Sequence, residues 1–198
     1  MSELSAVSVP ESVGRLLPGL ARAAIAAEVG APAPALPVAG DEATEAREWL
    51  AAPGAVFVTL HTDGRLHGCI GSLTPRRSLA EDVEGNAVAA AVRDRRFPEL
   101  RPEELARTAI EVSVLSPPTP RAAASEVEAV ALLRPGIDGV VLRWRDRHAT
   151  FLPSVWSSLP DPREFLEQLR LKAGIPEGVW DDEMRLETYT VGVFEGLP

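Results

Sequence analysis

The sequence predicts an α+β fold, a largely antiparallel sheet flanked by helices. Apolar residues alternate with polar ones in several short segments, as in half-buried strands, whereas in others they recur at helical spacing. The dipeptide Asp63-Gly64 separates two β-rich segments, as in a hairpin. Strands and helices do not alternate as repeated βαβ units, which argues against a parallel sheet.

The N-terminal quarter of the chain predicts two helices and a proline-rich connection. Residues Ser8–Val29 carry an apolar stripe, and Ser8 begins a capping box at their start. Pro18 inside this stretch predicts a kink or a break. Three prolines make Ala31–Val38 an extended segment, and a short helix capped by Asp41 follows it.

The rest of the chain predicts strands interrupted by three helices. The predicted strands are Ala55–His61, Arg65–Ser72, Ala109–Ser116, Gly139–Arg145, His148–Leu152 and Leu186–Phe194. The predicted helices are Ser78–Val92, Val127–Leu133 and Asp161–Ala173. We expect residues 8–196 to form a single domain and residues 1–7 to be a flexible N-terminus.

The charge balance limits the classes of partner and of chemistry. The 198 residues carry a formal net charge of −9, which argues against nucleic acid as the main partner because phosphate binding needs clustered basic residues. Lys172 is the only lysine. It lies in a predicted helix and follows no glycine-rich loop, so no P-loop or Schiff-base lysine is expected.

The single cysteine, Cys69, excludes an intramolecular disulfide and a multi-cysteine metal site within the chain. The first ten residues lack the basic and apolar regions of a secretory signal. The longest apolar-rich segment is far shorter than the roughly 20 residues that a membrane span needs. We therefore expect a cytoplasmic protein without a membrane segment.

The strand Leu66–Gly71, with the sequence LHGCIG, is the strongest candidate for a functional site. Gly68 and Gly71 weaken a strand, so they indicate a bulge or the close approach of another backbone or of a ligand. Simple alternation places His67 and Cys69 on one face. An imidazolium near a thiol favours the nucleophilic thiolate, which predicts a catalytic cysteine and histidine.

A tight turn at Asp63-Gly64 sets the expected register around this strand. It places Val58 opposite Cys69 and Leu60 opposite His67, with Thr59 on the other face. A lone cysteine in a strand is also typical of a small buried hydrophobe, so simple packing is the alternative interpretation.

Five segments in one order along the chain resemble the AMME-chromosomal-region protein family, whose prokaryotic members are called protein A of the AmmeMemoRadiSam system. The segments are LHGCIG (Leu66–Gly71), DRRFPEL (Asp94–Leu100), IEVSVLSPP (Ile110–Pro118), FLPSVW (Phe151–Trp156) and KAGI (Lys172–Ile175). The similarity runs from about Leu16 to Phe194, nearly the whole chain.

The resemblance implies a main lobe and a smaller lobe, with the LHGCIG motif facing a groove between them. It also implies functional association with a Memo-like protein and a radical-SAM enzyme, but it supplies no reaction and no cofactor. The family usually has arginine where this chain has His67. A histidine there would bind an anionic group more weakly and in a pH-dependent manner.

Three further residues are candidates for ligand binding, together with the glycines Gly68 and Gly71. Asn86 projects from the helix that follows the motif, and Asp94 and Arg96 lie just beyond its end. A carboxylate and a guanidinium there could orient a polar substrate. The alternative is that Asp94 and Arg96 pair with each other or with helix ends.

The strand after that helix offers a weaker candidate. Glu111 and Ser113 share one face, where a general base is one interpretation and the solvated side of the sheet the favoured one. A metal site is a further alternative, but only His67 and Cys69 converge under simple alternation, with His61 on the other face. We therefore predict no metal site.

Two functions from different classes fit these observations. The chain is an enzyme or enzyme component that binds a small polar ligand around Cys69, or an adaptor that docks a partner protein or peptide in the same groove. Catalysis requires an exposed, reactive thiol, whereas an adaptor does not. Glycines beside a cysteine leave space for a ligand, which favours the enzyme.

Overall fold

A computed structural model describes residues 9–32 and 42–196, without the side chains of residues 42 and 43. The predicted caps Ser8 and Asp41 lie outside the described residues. So do the predicted N-terminus 1–7 and most of the proline-rich segment.

The described ranges contain six α-helices and two short 3-10 helices. The α-helices are α1 (Glu11–Gly14), α2 (Leu17–Val29), α3 (Glu42–Ala51), α4 (Leu79–Val92), α5 (Glu126–Leu132) and α6 (Pro162–Ala173). The 3-10 helices are Pro102–Arg107 and Pro153–Ser157.

The strands form two four-stranded sheets and one two-stranded sheet. They are β1 (Pro53–Gly54), β2 (Val56–Thr62), β3 (Arg65–Gly71), β4 (Arg77–Ser78), β5 (Thr108–Leu115), β6 (Thr119–Arg121), β7 (Gly139–Trp144), β8 (Arg147–Phe151), β9 (Met184–Tyr189) and β10 (Val191–Gly196). The larger sheets have the orders β10-β5-β2-β3 and β6-β9-β7-β8. The pairs β2–β3, β2–β5, β6–β9, β7–β8 and β7–β9 are antiparallel. The α+β prediction is confirmed, although the strands divide between sheets.

The chain divides into two compact units. The first runs to Leu115 and resumes at Gly192, and the second is Ser116–Val191. The first holds the sheet β10-β5-β2-β3, and the second holds the sheet β6-β9-β7-β8. The groove predicted between two lobes stays a prediction.

Helices α2 and α4 pack on one face of the sheet in the first unit. The core is aliphatic, as expected for a chain with 5% aromatic residues. Its buried members include Leu17, Ile25, Val56, Val58, Leu60, Val83, Ile110 and Val112. Burial of such side chains is the main favourable contribution to folding.

The predicted break in the first helical segment is confirmed. Helix α1 ends at Gly14 and α2 begins at Leu17. Pro18 lies in the first turn of α2, where its missing N–H has no helical acceptor to lose. The proline is therefore tolerated at the start of α2 rather than within one continuous helix.

The hairpin between β2 and β3 turns at the predicted dipeptide. Asp63 has a φ of 52° and Gly64 a φ of 73°, so both residues adopt the left-handed conformation that a two-residue type I′ turn requires. Thr62 pairs with Arg65 directly across this turn.

A β-bulge interrupts β3 at His67, three residues after the turn. Leu66 pairs with His61, but Gly68 pairs with Leu60, so His67 is an extra residue without a partner. The bulge shifts every later pair by one position. From the sequence, Gly68 and Gly71 indicated either a bulge or a close approach, and β3 does contain a bulge.

The predicted register beyond the bulge is therefore wrong. Cys69 pairs with Thr59 rather than with Val58, and Val58 pairs with Ile70. Because side chains alternate along a strand, a shift of one residue exchanges the faces.

Gly68 is required by the close approach of α4 to β3. A Cβ atom at Gly68 would lie 2.0 Å from the carbonyl oxygen of Ala90, which is far inside van der Waals contact. Backbone atoms of a helix cannot move aside as a flexible side chain can. This glycine therefore serves the packing of a helix on a strand.

The second unit packs α6 against its own sheet. Phe165 is fully buried and stacks on Trp156 with ring centroids 3.7 Å apart. Asp161 caps α6 by accepting hydrogen bonds from the N–H groups of Arg163 and Glu164. Gly174 ends the helix in the left-handed conformation, as predicted.

The predicted last strand is in fact two strands in different sheets. β9 ends at Tyr189 and β10 begins at Val191. Between them, the N–H of Thr190 donates to Ser116 Oγ at 2.9 Å, and its carbonyl accepts from the N–H of Ser116 at 2.9 Å. Thr190 thus bonds to a residue outside the strands.

We predict that Gly68→Ala lowers the free energy of unfolding by about 3 kcal/mol, because the new methyl group overlaps a helix carbonyl. Gly136→Ala is the control, since Gly136 has a φ of 76° and open space around it. Its backbone strain alone should cost about 1 kcal/mol. Equal losses in urea denaturation would contradict the packing role of Gly68.

Candidate functional site

Cys69 lies on the face of its sheet that points away from α2 and α4. Val58 and Leu60 are fully buried on the helix side. Their partners on β3, Ile70 and Gly68, share that side. Alternation therefore places Cys69 and its partner Thr59 on the opposite face.

Thr59 is the neighbour of the cysteine thiol. Its hydroxyl Oγ1 donates a hydrogen bond to Cys69 Sγ at 3.4 Å. The prediction that Thr59 points away from Cys69 is wrong because the bulge at His67 shifted the register. A glycine-flanked strand signals a bulge, so this neighbour could have been found by testing the one-residue shift.

A row of three chemically active side chains crosses the sheet at this level. Thr59 pairs with Cys69 on β3 and with Glu111 on β5. Directly opposite side chains on neighbouring strands have Cβ atoms roughly 5 Å apart. Ser113 shares the face of Glu111 and donates a hydrogen bond to its carboxylate at 3.3 Å. Glu111 therefore stands in the same row as the thiol.

Asp94 and Arg96 hold the main chain of Cys69 from the free edge of the sheet. The N–H of Cys69 donates to Asp94 Oδ2 at 3.0 Å, and Arg96 Nη2 donates to the carbonyl of Cys69 at 3.0 Å. β3 is an edge strand, so these two groups have no strand partner on that side. The two side chains replace the missing strand.

Asp94 and Arg96, which together form a clamp on the main chain of Cys69, also bind each other. Arg96 Nε donates to Asp94 Oδ1 at 2.9 Å, and Arg96 Nη2 donates to Oδ2 at 2.6 Å. These bonds from Arg96 hold the pKa of Asp94 far below its usual range, helped by the N–H of Cys69 and opposed by burial. Hydrogen bonding to Asp94 likewise raises the pKa of Arg96.

His67 lies in a buried position on the bulge, with 9% of its surface exposed. The thiol of Cys69 contacts Thr59, whereas His67 lies near the carboxylate of Glu104. His67 Nε2 is buried and has no hydrogen-bond partner among the described residues. A catalytic pair of Cys69 and His67 stays a prediction, and the described contacts of the thiol give it no support.

Glu104 is bound mainly by Arg101. The side chain and the N–H of Arg101 both donate to the carboxylate, at 3.0 and 2.9 Å. These bonds lower the pKa of Glu104 to about 2, against the effect of burial, with smaller contributions from the charges of Arg101 and His67.

Asn86 is buried on the helix side of the sheet. Its Nδ2 donates to the carbonyl of Val56 at 3.2 Å, to Ser72 Oγ at 3.1 Å and to Asp82 Oδ2 at 3.0 Å. Asp82 in turn accepts from the N–H of Val56 at 2.8 Å and from Arg77 Nε at 2.8 Å. The amide of Asn86 thus anchors α4 to the start of β2. The described contacts do not bring it to the thiol.

The space beside both motif glycines is filled by protein atoms. Ala90 occupies the position next to Gly68, and the ring of Phe57 lies where a Cβ atom of Gly71 would be, only 2.3 Å away. Phe57 pairs directly with Gly71 across the two strands. At both glycines the position of the missing side chain is thus taken by protein atoms, so that space does not support the reasoning that favoured an enzyme.

The described residues show neither a metal-binding cluster nor a helix that could cross a membrane. No group of three or more His, Cys, Asp or Glu side chains in the described ranges is arranged to hold a metal ion. Among the helices that the structure describes, none is both long and apolar enough to cross a membrane.

Comparison with known proteins matches the family model AMMECR1 to residues 18–194. A protein from Thermotoga maritima is 41% identical over 137 residues, which is 68% of this chain and 74% of the relative. A protein from Methanothermobacter thermautotrophicus is 38% identical over 141 residues, 70% of this chain and 73% of the relative. The crystal structure of the uncharacterized protein PH0010 from Pyrococcus horikoshii matches with a TM-score of 0.80 and 30% identity, over 95% of this chain and 93% of that one.

We predict that Asp94→Ala lowers the free energy of unfolding by about 2 kcal/mol, because the N–H of Cys69 loses its acceptor. The amide hydrogen of Cys69 should also exchange faster with solvent. Arg95→Ala is the matched control, since Arg95 is the exposed residue between the clamp residues. Unchanged exchange at Cys69 in Asp94→Ala would contradict the clamp.

We also predict an acid-sensitive contribution to stability from Glu104. Its pKa falls from 4.5 in the unfolded chain to about 2 in the folded one, so the folded state binds the proton less readily. The contribution is complete above about pH 4.5 and is lost as the pH falls towards 2. Urea denaturation between these pH values should show a smaller loss of stability in Glu104→Gln than in the parent protein. The exposed-residue control Glu177→Gln should leave the slope unchanged.

Proposed function

Because the chain belongs to the AMMECR1 family, and the names of its relatives state no reaction, we propose its function from the geometry around Cys69. It is an enzyme or enzyme component that binds a small polar ligand on the sheet face that carries Cys69, Thr59 and Glu111. The hydrogen bond from Thr59 to the thiol is the observation that carries this proposal.

The role of Cys69 in this proposal is that of a nucleophile or a thiol reductant. A hydroxyl that donates to sulfur stabilises the thiolate more than the thiol, because the thiolate is the stronger acceptor. The clamp fixes both main-chain groups of Cys69, and the hydrogen bond from Thr59 orients the sulfur. A fixed nucleophile needs less reorganisation when it reacts.

Glu111 is the group that we assign as proton acceptor. It pairs with Thr59 across β5 and β2, so Thr59 lies between Glu111 and Cys69 on the same sheet face. Glu111 is half-buried. Its carboxylate accepts a hydrogen bond from Ser113, which orients it on this face. It would take a proton from a ligand bound over Thr59, because the spacing of two strands, about 10 Å, keeps it from the thiol itself.

Arg96 is the group that we assign to an anionic part of the ligand. Its side chain is 60% exposed, although Nε and Nη2 are bound to the protein. Nη1 makes no hydrogen bond with a described residue, so one edge of the guanidinium remains available. Arginine suits carboxylate and phosphate groups because its N–H groups form a planar fork.

The family resemblance extends the proposal to partners. We infer that the chain acts in the cytoplasm together with a Memo-like protein and a radical-SAM enzyme. The proposed chemistry would then follow or precede a step that one of those partners catalyses.

The filled space beside Gly68 and Gly71 favours a second candidate function. In this alternative, the chain is an adaptor that docks a partner protein or peptide, and Cys69 only packs. The two functions differ in what they require of the thiol. Partner binding that survives Cys69→Ser would favour the adaptor, whereas the enzyme loses its activity in that variant.

The rate of alkylation of Cys69 by iodoacetamide, measured against pH in the native protein, tests the enzyme. We expect a reactive thiol, and we expect Thr59→Val to lower the rate of alkylation near neutral pH because the thiolate loses its donor. Thr119→Val, at an exposed position on β6, is the control. His67→Ala tests the pairing that the sequence predicted.

The outcome of this measurement distinguishes the enzyme from the adaptor. A lower rate of alkylation in Thr59→Val that is absent in His67→Ala supports the hydrogen bond from Thr59 to the thiol. A thiol that reacts only after denaturation would end the catalytic proposal and leave the adaptor.

A further inference from the structure

The thiol of Cys69 has a hydroxyl on one side and a guanidinium on the other. Thr59 Oγ1 donates to Cys69 Sγ at 3.4 Å from β2. Arg96 donates to the carbonyl of Cys69 from the free edge of β3. Hydrogen bonding to Asp94 is the main reason that the pKa of Arg96 is raised, against burial, and the charge of Cys69 adds to it. The guanidinium is therefore within electrostatic reach of the sulfur.

Neither of these two groups is an acid or a base near neutral pH. The described contacts of the thiol include no imidazole, and Glu111 lies two strands away, about 10 Å. A nucleophile in this setting suits a bond that breaks without a general acid. The O–O bond of a hydroperoxide is weak, and the alkoxide that leaves needs only hydrogen-bond donors.

An apolar side chain lies beside these groups on the same sheet face. Phe57 is two residues before Thr59 on β2, so alternation places it on the face of Cys69. Its ring lies over Gly71, next to the thiol along β3, and Phe57 is half-buried. A small hydrocarbon group can therefore pack against this ring while its polar end reaches the sulfur.

We propose that Cys69 reduces a small organic hydroperoxide. Thr59 and Arg96 are the donors that stabilise the breaking O–O bond, and Phe57 packs against the hydrocarbon group. This inference rests on the enzyme proposed above and names its substrate class.

The oxidation step uses the groups on this face. The thiolate sulfur attacks the terminal oxygen of the hydroperoxide, an S–O bond forms, and the O–O bond breaks with both electrons passing to the alkoxide. Arg96 Nη1 donates to the alkoxide as its charge grows, and the alkoxide takes up the proton that the thiol released. The sulfur is thereby oxidised to a sulfenic acid, and the hydroperoxide is reduced to an alcohol.

A small external thiol completes the cycle, because Cys69 is the only cysteine of the 198 residues. One thiol molecule attacks the sulfenic acid, releases water and forms a mixed disulfide with Cys69. A second thiol molecule breaks that disulfide, restores the thiol of Cys69 and leaves as half of a small-molecule disulfide.

Stopped-flow oxidation of the full chain by cumene hydroperoxide, with dimedone trapping of the sulfenic acid, tests the substrate class. We expect Cys69 to react about 100-fold faster than free cysteine, the effect that oxyanion donors have in other enzymes. Hydrogen peroxide, which has no hydrocarbon group, should react more slowly than cumene hydroperoxide. Alkylation by iodoacetamide is the reference reaction, because iodide leaves without a donor. With glutathione added, the protein should consume many equivalents of hydroperoxide.

Variants of the two donors separate their roles from a general effect on the thiol. Arg96→Gln should lower the rate with hydroperoxide about 100-fold and the rate of alkylation much less. Thr59→Val leaves the clamp intact and should also lower the first rate more than the second, whereas Thr59→Ser keeps the hydroxyl and should retain both. Arg95→Gln, at the exposed position between the clamp residues, is the matched control and should change neither rate. Thermal unfolding of each variant shows whether the fold is intact.

The proposal is overturned if Cys69 reacts with cumene hydroperoxide no faster than free cysteine, or if Arg96→Gln and Thr59→Val each lower both rates by the same factor. A thiol that is alkylated readily but shows no preference for the hydroperoxide would refute this substrate class and leave the proposed enzyme. A thiol that resists both reagents until the protein is denatured would refute both.

Discussion

The free edge of β3 is the constraint on which the candidate site depends. An edge strand presents peptide groups that no neighbouring strand satisfies, and such groups recruit other chains unless they are covered. Here Asp94 accepts from the N–H of Cys69 and Arg96 donates to its carbonyl. Because both peptide groups point outward at Cys69, its pairing with Thr59 is the closer, non-hydrogen-bonded type. The outward direction of these peptide groups therefore lets Asp94 and Arg96 cover the edge and also brings the Thr59 hydroxyl close to the sulfur of Cys69.

Sequence pattern predicts elements well where each residue depends on its near neighbours. The turn at Asp63-Gly64, the interruption at Pro18 and the end of α6 at Gly174 follow from local backbone preferences. The register of β3 does not, because an extra residue at His67 changes no local preference but exchanges the faces of all later residues. Because the sequence pattern does not show this extra residue, it does not predict that Cys69 pairs with Thr59.

The glycines of β3 show a similar limit. The sequence correctly indicates that Gly68 and Gly71 need a reason, since glycine weakens a strand. It cannot say which neighbour supplies the reason, because Ala90 and Phe57 approach them only through the tertiary fold. Asn86 illustrates the same point, since its buried amide bonds to groups far from it in sequence. Polar residues near a motif can thus belong to the scaffold rather than to the site.

Arg96 has a structural role and a proposed role in ligand binding, and it uses different nitrogen atoms of its guanidinium for each. If a ligand drew Nε or Nη2 away, it would leave the carbonyl of Cys69 and the buried carboxylate of Asp94 without their donor. The loss of a partner at a buried charge costs several kcal/mol, more than one exposed contact with an anion returns. A ligand is therefore expected to use Nη1 and to leave the clamp intact. In this arrangement the strand that carries Cys69 stays in place while the anion binds beside it.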